Sequence, residues 1–223
     1  MSRNRKVVSA REAVEAIPNG ATIMVGGFMG AGAPPRLIDE IVRQCRRELA
    51  IISNDTARPD RGVGKLIAHR LVRKVITSHI GTNPETQRQL KHGELDVELV
   101  PQGTLAERIR SAGFGLGGVL TPTGVATLAA EGKQTIQIQG SPFLLELPLR
   151  ADFALISACR ADYRGNLEYS LTSRNFNPLM AMAAATVVAE ADDIVPVGVI
   201  SPDSIGTPHV LVDKLVGKER AHG

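Results

Sequence analysis

Apolar residues along the chain fall into short continuous runs separated by stretches in which they recur every three or four positions. The runs ATIMV (21–25), LAIIS (49–53), KVITS (74–78) and LDVELV (95–100) read as strands. A brief apolar run bounded by turn residues marks a strand buried on both faces. After the first run, Leu37, Ile38, Ile41, Val42 and Cys45 form one helical stripe. GKLIAHRLV (64–72) and NPETQRQLKHG (83–93) also read as helices. Ser9-Ala-Arg-Glu12 is a capping box ahead of Ala13, Val14 and Ile17, and Pro18-Asn19-Gly20 stops that helix. Thr104-Leu-Ala-Glu107 reads as a second capping box, opening the helix TLAERIRSAG.

Strand, loop and helix thus repeat four times in the first half. The pattern predicts a parallel sheet with helices on both faces, the doubly wound α/β class. The second half changes character. In KQTIQIQGSPFLLELP (133–148), Ile136 and Ile138 alternate with polar residues and the run breaks at Gly140-Ser141-Pro142. That predicts a hairpin, a small antiparallel β element beside the main sheet. ADFALISACRAD (151–162) and TVVAEA (186–191) read as buried strands, and NPLMAMAAA (177–185) as a helix. No Pro-, Gly- or Ser-rich linker is long enough to separate two units, so residues 1–223 are expected to form one domain.

Open parallel sheets bind ligands beyond the carboxyl ends of their strands. The residues following the four strand runs are GGFMGAG (26–32), Asn54-Asp55-Thr56, His79-Ile80-Gly81-Thr82-Asn83 and Pro101-Gln102-Gly103. Glycines and hydrogen-bonding side chains therefore meet at one edge. Glycine lets backbone approach a ligand closely and take positive φ. Pro34 and Pro35 suit the first turn of the next helix. Unpaired amides and the helix dipole there would favour an anion or oxyanion. The competing reading is a tight strand-to-helix turn packed by Phe28.

Composition narrows the field. The 223 residues are 43% apolar and 22% charged, with 3% aromatics and no Trp, so aliphatic side chains must fill the core. The net charge of +3 includes basic runs at 3–6 and 43–48. Without stacking aromatics beside them, these read as a solvated tail and the wet face of a helix, and no nucleic-acid partner is expected. LMAMAAATVVA (179–189) is too short to span a bilayer, which takes about 20 residues, so no membrane association is expected. MSRNRKVVSAREA has no apolar core of a secretory leader. Cys45 and Cys159, distant in sequence and set in apolar patterns, read as buried hydrophobes. A cytoplasmic location fits.

Gly113-Phe-Gly115-Leu-Gly-Gly118 matches G-x-G-x-x-G, but a helix precedes it where a dinucleotide site needs a strand. No phosphate-binding G-x-x-x-x-G-K-[ST] and no G-x-S-x-G elbow occurs. The histidines, His69, His79, His92, His209 and His222, lack metal-ligand spacing, and only His79 lies in a candidate loop. Asp55 and Glu85 are the carboxylates nearest the edge. The chain has a binding edge and no evident nucleophile.

At this point several segments converge. Asn19-Gly-Ala-Thr-Ile-Met-Val-Gly-Gly-Phe-Met-Gly-Ala-Gly-Ala-Pro34 resembles the N-terminal signature of the family I coenzyme A transferases. IISND, SHIGTNPET, VPQGTLAERIR, TPTGVAT and RNFNPLMAMAA follow in the family's order, so the resemblance spans about residues 7–213. SHIGTNPET is most similar to the α subunit of the acetate/acetoacetate (short-chain 3-oxoacid) enzymes. The resemblance implies transfer of CoA from an acyl-CoA to a free carboxylate, with CoA esters as substrates and no tightly bound cofactor. It also implies a β-subunit partner in an α2β2 assembly. A glutamate in a Ser-Glu-Asn-Gly motif of that β subunit would be the nucleophile; this chain contains no Glu-Asn dipeptide. By position, Gly26, Gly27, Phe28, Met29, Gly30, Ala31 and Gly32 form the CoA-binding segment, and Asn54, Asp55 and Gln102 line the glutamate's pocket. Relatives often carry Asn at the position of Asp55. A second carboxylate there would raise the pKa of the nucleophile, so Asn54 and Gln102 are the catalytic candidates. Two other readings stay open: a non-catalytic ligand sensor on the same fold, and a self-contained isomerase or hydrolase using Asp55 or Glu85.

Overall fold

The computed structural model describes residues 6–218. Arg3 and Arg5 of the N-terminal basic run, and His222, lie outside the described residues.

The strand runs pair in parallel. β1 (Thr22–Val25), β2 (Leu49–Asp55), β3 (Val72–His79) and β4 (Asp96–Leu99) lie side by side in that order, through register pairs such as Ile23↔Ile51 and Ile51↔Val75. On the other side of β1 lie β8 (Ala151–Asp162), β10 (Ala184–Val195) and β11 (Lys214–Val216), also parallel, giving the order β11-β10-β8-β1-β2-β3-β4. Chain progression reverses direction between β1 and β8. That is the switch point at which doubly wound sheets bind ligands. β9 (Leu167–Glu168) adds to β8 in antiparallel sense.

Side chains alternate across the sheet and build two cores. Ile23, Val25, Ile51, Leu155 and Val188 face α1 (Ala10–Glu15), α2 (Pro35–Arg43) and α3 (Val63–Ala68), where Val14, Leu37, Ile38, Ile41 and Leu66 are fully buried. Met24, Ile52, Ala154, Ile156 and Val187 face α5 (Gln102–Gly113) and α6 (Asn177–Ala183) through Leu105, Ile109 and Met180. Each such aliphatic side chain contributes about 1.5–3 kcal/mol by leaving water. α4 (Pro84–Lys91) lies against α3. The doubly wound α/β arrangement is thus as the pattern predicts. The expectation that every strand is apolar on both faces fails at β4, an edge strand whose four residues are all partly or fully exposed.

The antiparallel element is a three-stranded sheet, β5 (Val119–Thr121), β6 (Thr135–Ile138) and β7 (Ser141–Glu146), in the order β5-β7-β6. Buried Glu146 anchors it. Its carboxylate takes Lys133 at 2.6 Å and Arg108 of α5 at 3.7 Å, and Arg108 reaches Glu98 of β4 at 2.8 Å.

Three local expectations are corrected. The helix read over 64–72 stops at Ala68, because Arg70 turns left-handed (φ +56°) and the amides of Arg70 and Leu71 close on the carbonyls of Ile67 and Leu66. The same Schellman closure ends α2. The Cys45 amide bonds the Val42 carbonyl, the Arg46 amide bonds the Ile41 carbonyl, and Cys45 sits at φ +51°. The chain leaves the helical stripe there, so Cys45 is exposed rather than buried, while Cys159 is half-buried. Thr104 caps nothing. α5 begins two residues earlier at Gln102, behind Pro101, and Glu107 pairs with Arg110 instead. Among the described residues, no helix is long and apolar enough to cross a membrane, and no group of His, Cys, Asp or Glu is placed to hold a metal ion.

Candidate active site

The glycine segment is a miniature hairpin. Phe28 and Ala31 exchange both backbone hydrogen bonds at 2.9 Å, and the two residues between them, Met29 (φ +51°) and Gly30 (φ +86°), have the positive φ values of a type I′ turn. Its tip projects from the sheet edge, with Phe28 and Met29 44% and 37% exposed. Phe28 is thus partly exposed at the tip rather than buried within the turn.

The base of the hairpin rests on two asparagines, Asn175 just before α6 and Asn177, its first residue. Asn177 accepts from the Ser157 amide (3.1 Å) and donates to the carbonyls of Gly32 (3.0 Å) and Ser173 (2.7 Å). A Cβ on Gly26 would lie 1.8 Å from Asn177 Oδ1, so only glycine fits. Asn175 accepts from the Gly27 amide (3.2 Å) and donates to the Ala31 carbonyl (3.0 Å). Neither asparagine was singled out as a site residue from sequence. The available signal was two amides flanking Phe176, able to serve both the donors and the acceptors of a loop that has few side chains.

Most of the amides expected to form a cradle are engaged within the protein. The backbone N–H groups of Gly26, Gly27, Phe28, Met29, Ala31 and Ala33 all donate within the protein. The start of α2 is occupied as well. Buried Glu190 accepts from the Leu37 amide at 3.0 Å and lies 3.3 Å from the Arg36 guanidinium. Burial pushes the Glu190 carboxyl above the usual carboxylate range. An anion approaching this helix end would meet a carboxylate.

The hydrogen-bonding capacity lies in side-chain amides next door. Asn54, near the end of β2, is buried, and Gln102, the first residue of α5, is exposed above it. Gln102 Nε2 donates to Asn54 Oδ1 at 3.1 Å. Ser78 Oγ donates to the Asn54 carbonyl at 2.6 Å, and Asn54 Nδ2 donates to Asp55 Oδ2 at 2.6 Å. The structure thus brings Asn54, Asp55 and Gln102 into one chain of hydrogen bonds. The Met29 amide also donates to Asp55 Oδ2 (2.8 Å), which joins that chain to the hairpin tip. A second Gln102 Nε2 proton stays available for a ligand.

The remaining candidates fall outside. His79 pairs with Asp55 along the backbone, but its exposed side chain enters no hydrogen bond of this network. Glu85 turns to Arg88 and Gln89 on its own helix, and the Arg88 guanidinium holds its carboxyl down at about 2. Asn83 caps α4 and ties it to the Thr56 carbonyl at 2.8 Å. Among the described residues of this edge, amides and hydroxyls gather without a nucleophile–base pair. The geometry suits stabilising charge that develops on a group supplied from elsewhere.

Residues 7–218 match the Coenzyme A transferase family. Acetate CoA-transferase subunit alpha of Escherichia coli K12 is 54% identical over 211 residues, covering 95% of this chain and 96% of that protein. The alpha subunit of acetoacetyl-CoA:acetate/butyrate CoA transferase from Clostridium acetobutylicum is 49% identical over 213 residues, covering 96% of this chain and 98% of that one. In three dimensions, the E. coli O157:H7 acyl-CoA transferase YdiF, solved as a thioester complex with CoA, superposes with a TM-score of 0.86 at 23% identity. The match covers 96% of this chain and 47% of that longer one, and it speaks for the fold alone. Matched along nearly its whole described length, with a sheet edge that gathers amides but no nucleophile, this chain belongs to the coenzyme A transferase family.

Proposed function

We propose that this chain is the α subunit of a cytoplasmic CoA-transferase of the acetate/acetoacetate type, and that its β partner inserts a glutamate against the Asn54–Gln102 edge. The observation that carries the reading is the buried Asn54 amide holding an exposed Gln102 amide at 3.1 Å, on an edge whose described residues form no nucleophile–base pair. Two relatives near half identity bear α-subunit names for acetate and acetoacetyl-CoA chemistry, which supports the substrate class. An α2β2 assembly would present two such sites.

In this reading the partner's carboxylate attacks the thioester carbonyl. The C–S bond breaks, CoA leaves as thiolate, and an acyl-glutamyl anhydride forms. The thiolate then attacks the glutamyl carbonyl, releases the first acid as carboxylate and leaves a glutamyl-CoA thioester. The second carboxylate reverses both steps and regenerates the glutamate. No electron or water is consumed. Each addition places negative charge on a carbonyl oxygen, to which Gln102 Nε2 donates, while Asn54 Oδ1 fixes the direction of that donor. The exposed hairpin of residues 26–32 would face the CoA ester through Phe28 and Met29, because most of its amides are already engaged.

The test is an assay of succinyl-CoA or acetyl-CoA against acetoacetate, with this chain alone and mixed with the β chain. Turnover is expected only in the mixture. Gln102→Ala should lower it about 100-fold, an oxyanion donor being worth about 3 kcal/mol, while assembly measured by light scattering is unchanged. Full turnover without a partner, or with Gln102 absent, overturns the reading. A ligand sensor would show no turnover in either case.

A further inference from the structure

We infer that Asp55 is the positioning residue of this site: a buried carboxylate that sets both the glycine hairpin and the Asn54–Gln102 donor pair. The inference rests on the active-site reading above. Asp55 ends β2 with 5% of its surface exposed. Its oxygens meet three N–H donors. Oδ2 takes the Met29 amide at 2.8 Å and Asn54 Nδ2 at 2.6 Å, and Oδ1 takes the Ala57 amide at 2.8 Å.

The three donors belong to three different jobs. Met29 is the first central residue of the type I′ turn, and Ala57 lies in the turn after β2. Both are non-glycine residues at positive φ, +51° and +50°. Left-handed backbone is unfavourable for an L-residue, so each needs something to hold it. Charge-assisted hydrogen bonds of the kind Asp55 offers are about twice as strong as neutral ones. The third donor is Asn54. An amide that points Nδ2 at an acceptor-only group must point Oδ1 the other way, here at Gln102 Nε2 (3.1 Å) and Ser78 Oγ (3.4 Å). The carboxylate therefore determines which face Asn54 shows to Gln102, and through it the direction of the Gln102 donor. It acts on the reaction without touching the substrate.

The donor set shows what a second acceptor oxygen does in this chain. An asparagine at 55 keeps the volume but replaces one acceptor with an N–H. Turned one way, that N–H faces the Met29 amide and Asn54 Nδ2; turned the other way, it faces the Ala57 amide. Two donors are opposed in the first orientation and one in the second, and the first also invites Asn54 to flip its oxygen away from Gln102.

The experiment is a double-mutant cycle in the assembled enzyme, comparing wild type, Asp55→Asn, Gln102→Ala and the double variant with the CoA ester and carboxylate above. Asp55→Asn should lower kcat about 10- to 100-fold, the range expected of a donor displaced by about 1 Å, with KM changed less than about threefold. In the Gln102→Ala background the same substitution should change kcat by less than about threefold, since the donor it aims is gone. Should Asp55→Asn fail to assemble, Asp55→Asn with Met29→Gly is compared against Met29→Gly alone and against the same pair lacking Gln102, because glycine takes the left-handed turn without strain. Multiplicative losses in the two backgrounds, or a wild-type kcat for Asp55→Asn, overturn the inference while an impaired Gln102→Ala leaves the site reading standing. A Gln102→Ala enzyme at full rate overturns the site reading itself.

Discussion

Replacing Gly26 with alanine tests how the hairpin is seated. The three atoms nearest the new Cβ are Oδ1, Cγ and Nδ2 of Asn177, at 1.8, 2.7 and 3.3 Å. Oδ1 has to retreat more than 1 Å, which breaks its bond from the Ser157 amide and draws Nδ2 away from the carbonyls of Gly32 and Ser173. Each half-buried group stranded this way costs about 1 kcal/mol, so the three together cost about 3 kcal/mol. Overpacking adds about 1–3 kcal/mol. Asn177→Ala strands the same three groups without any clash and should cost about 3 kcal/mol, a fall of about 6–12 °C in melting temperature for a chain of this size. The double variant has no side chain left to collide with, so its cost should stay near 3 kcal/mol, where independent sites would give about 7–9 kcal/mol. Urea unfolding of the four proteins, read as shifts in midpoint at constant slope, measures the cycle. Gly26→Ala alone comes close to the whole stability of a typical domain. A single variant that does not fold beside a double variant that does is therefore also the expected result. Additive costs would mean that contact with Asn177 is not why residue 26 is glycine.

Two further predictions address other parts of the molecule. Glu146→Ala leaves Lys133 and Arg108 without their shared buried carboxylate and should cost about 3–5 kcal/mol; Glu107→Ala, which removes an exposed pair with Arg110, should stay within about 1 kcal/mol. Equal thermal shifts for the two would refute the anchoring of the small sheet. Of the two cysteines, Cys45 is exposed, whereas burial and the neighbouring Glu168 carboxylate push the half-buried Cys159 thiol up. A disulfide reagent at neutral pH should therefore modify one thiol faster than the other by on the order of tenfold or more. Cys45→Ser should remove the fast phase, and a fast phase that survives the substitution refutes the assignment.

What sequence reasoning could reach is set by the range of the interaction concerned. Strand and helix periodicity are local consequences of where Cβ points, so the runs ATIMV and LAIIS were legible as strands buried on both faces, which Ile23 and Ile51 on one side and Met24 and Ile52 on the other bear out. The carboxyl-edge rule then placed Gly26–Gly32, Asn54 and Gln102 near one another, because a parallel sheet puts all its strand ends on one side. Where the periodicity ran past a left-handed residue, at Cys45 and Arg70, the reading overshot, since a Schellman closure depends on φ and neither residue is the glycine that usually announces it.

The hairpin's hydrogen bonds belong to a different range. Whether a glycine loop offers free amides to a ligand depends on which distant groups have already taken them. Gly27 is satisfied by Asn175, Met29 by Asp55 and the first turn of α2 by Glu190, partners 148, 26 and 153 residues away. No local pattern encodes that pairing. Glycine density alone pointed to a backbone cradle; in the folded chain most of those donors, Gly26, Gly27, Phe28, Met29, Ala31 and Ala33, hold the turn, and Phe28 and Met29 stand out. The donor proposed for the chemistry is a side-chain amide, and a side-chain amide is aimed by what it is bonded to. In the proposed site the orientation of that donor would then depend on the three-residue relay from Asp55 through Asn54 to Gln102, a use for a buried carboxylate at a position where an uncharged amide would fit by volume.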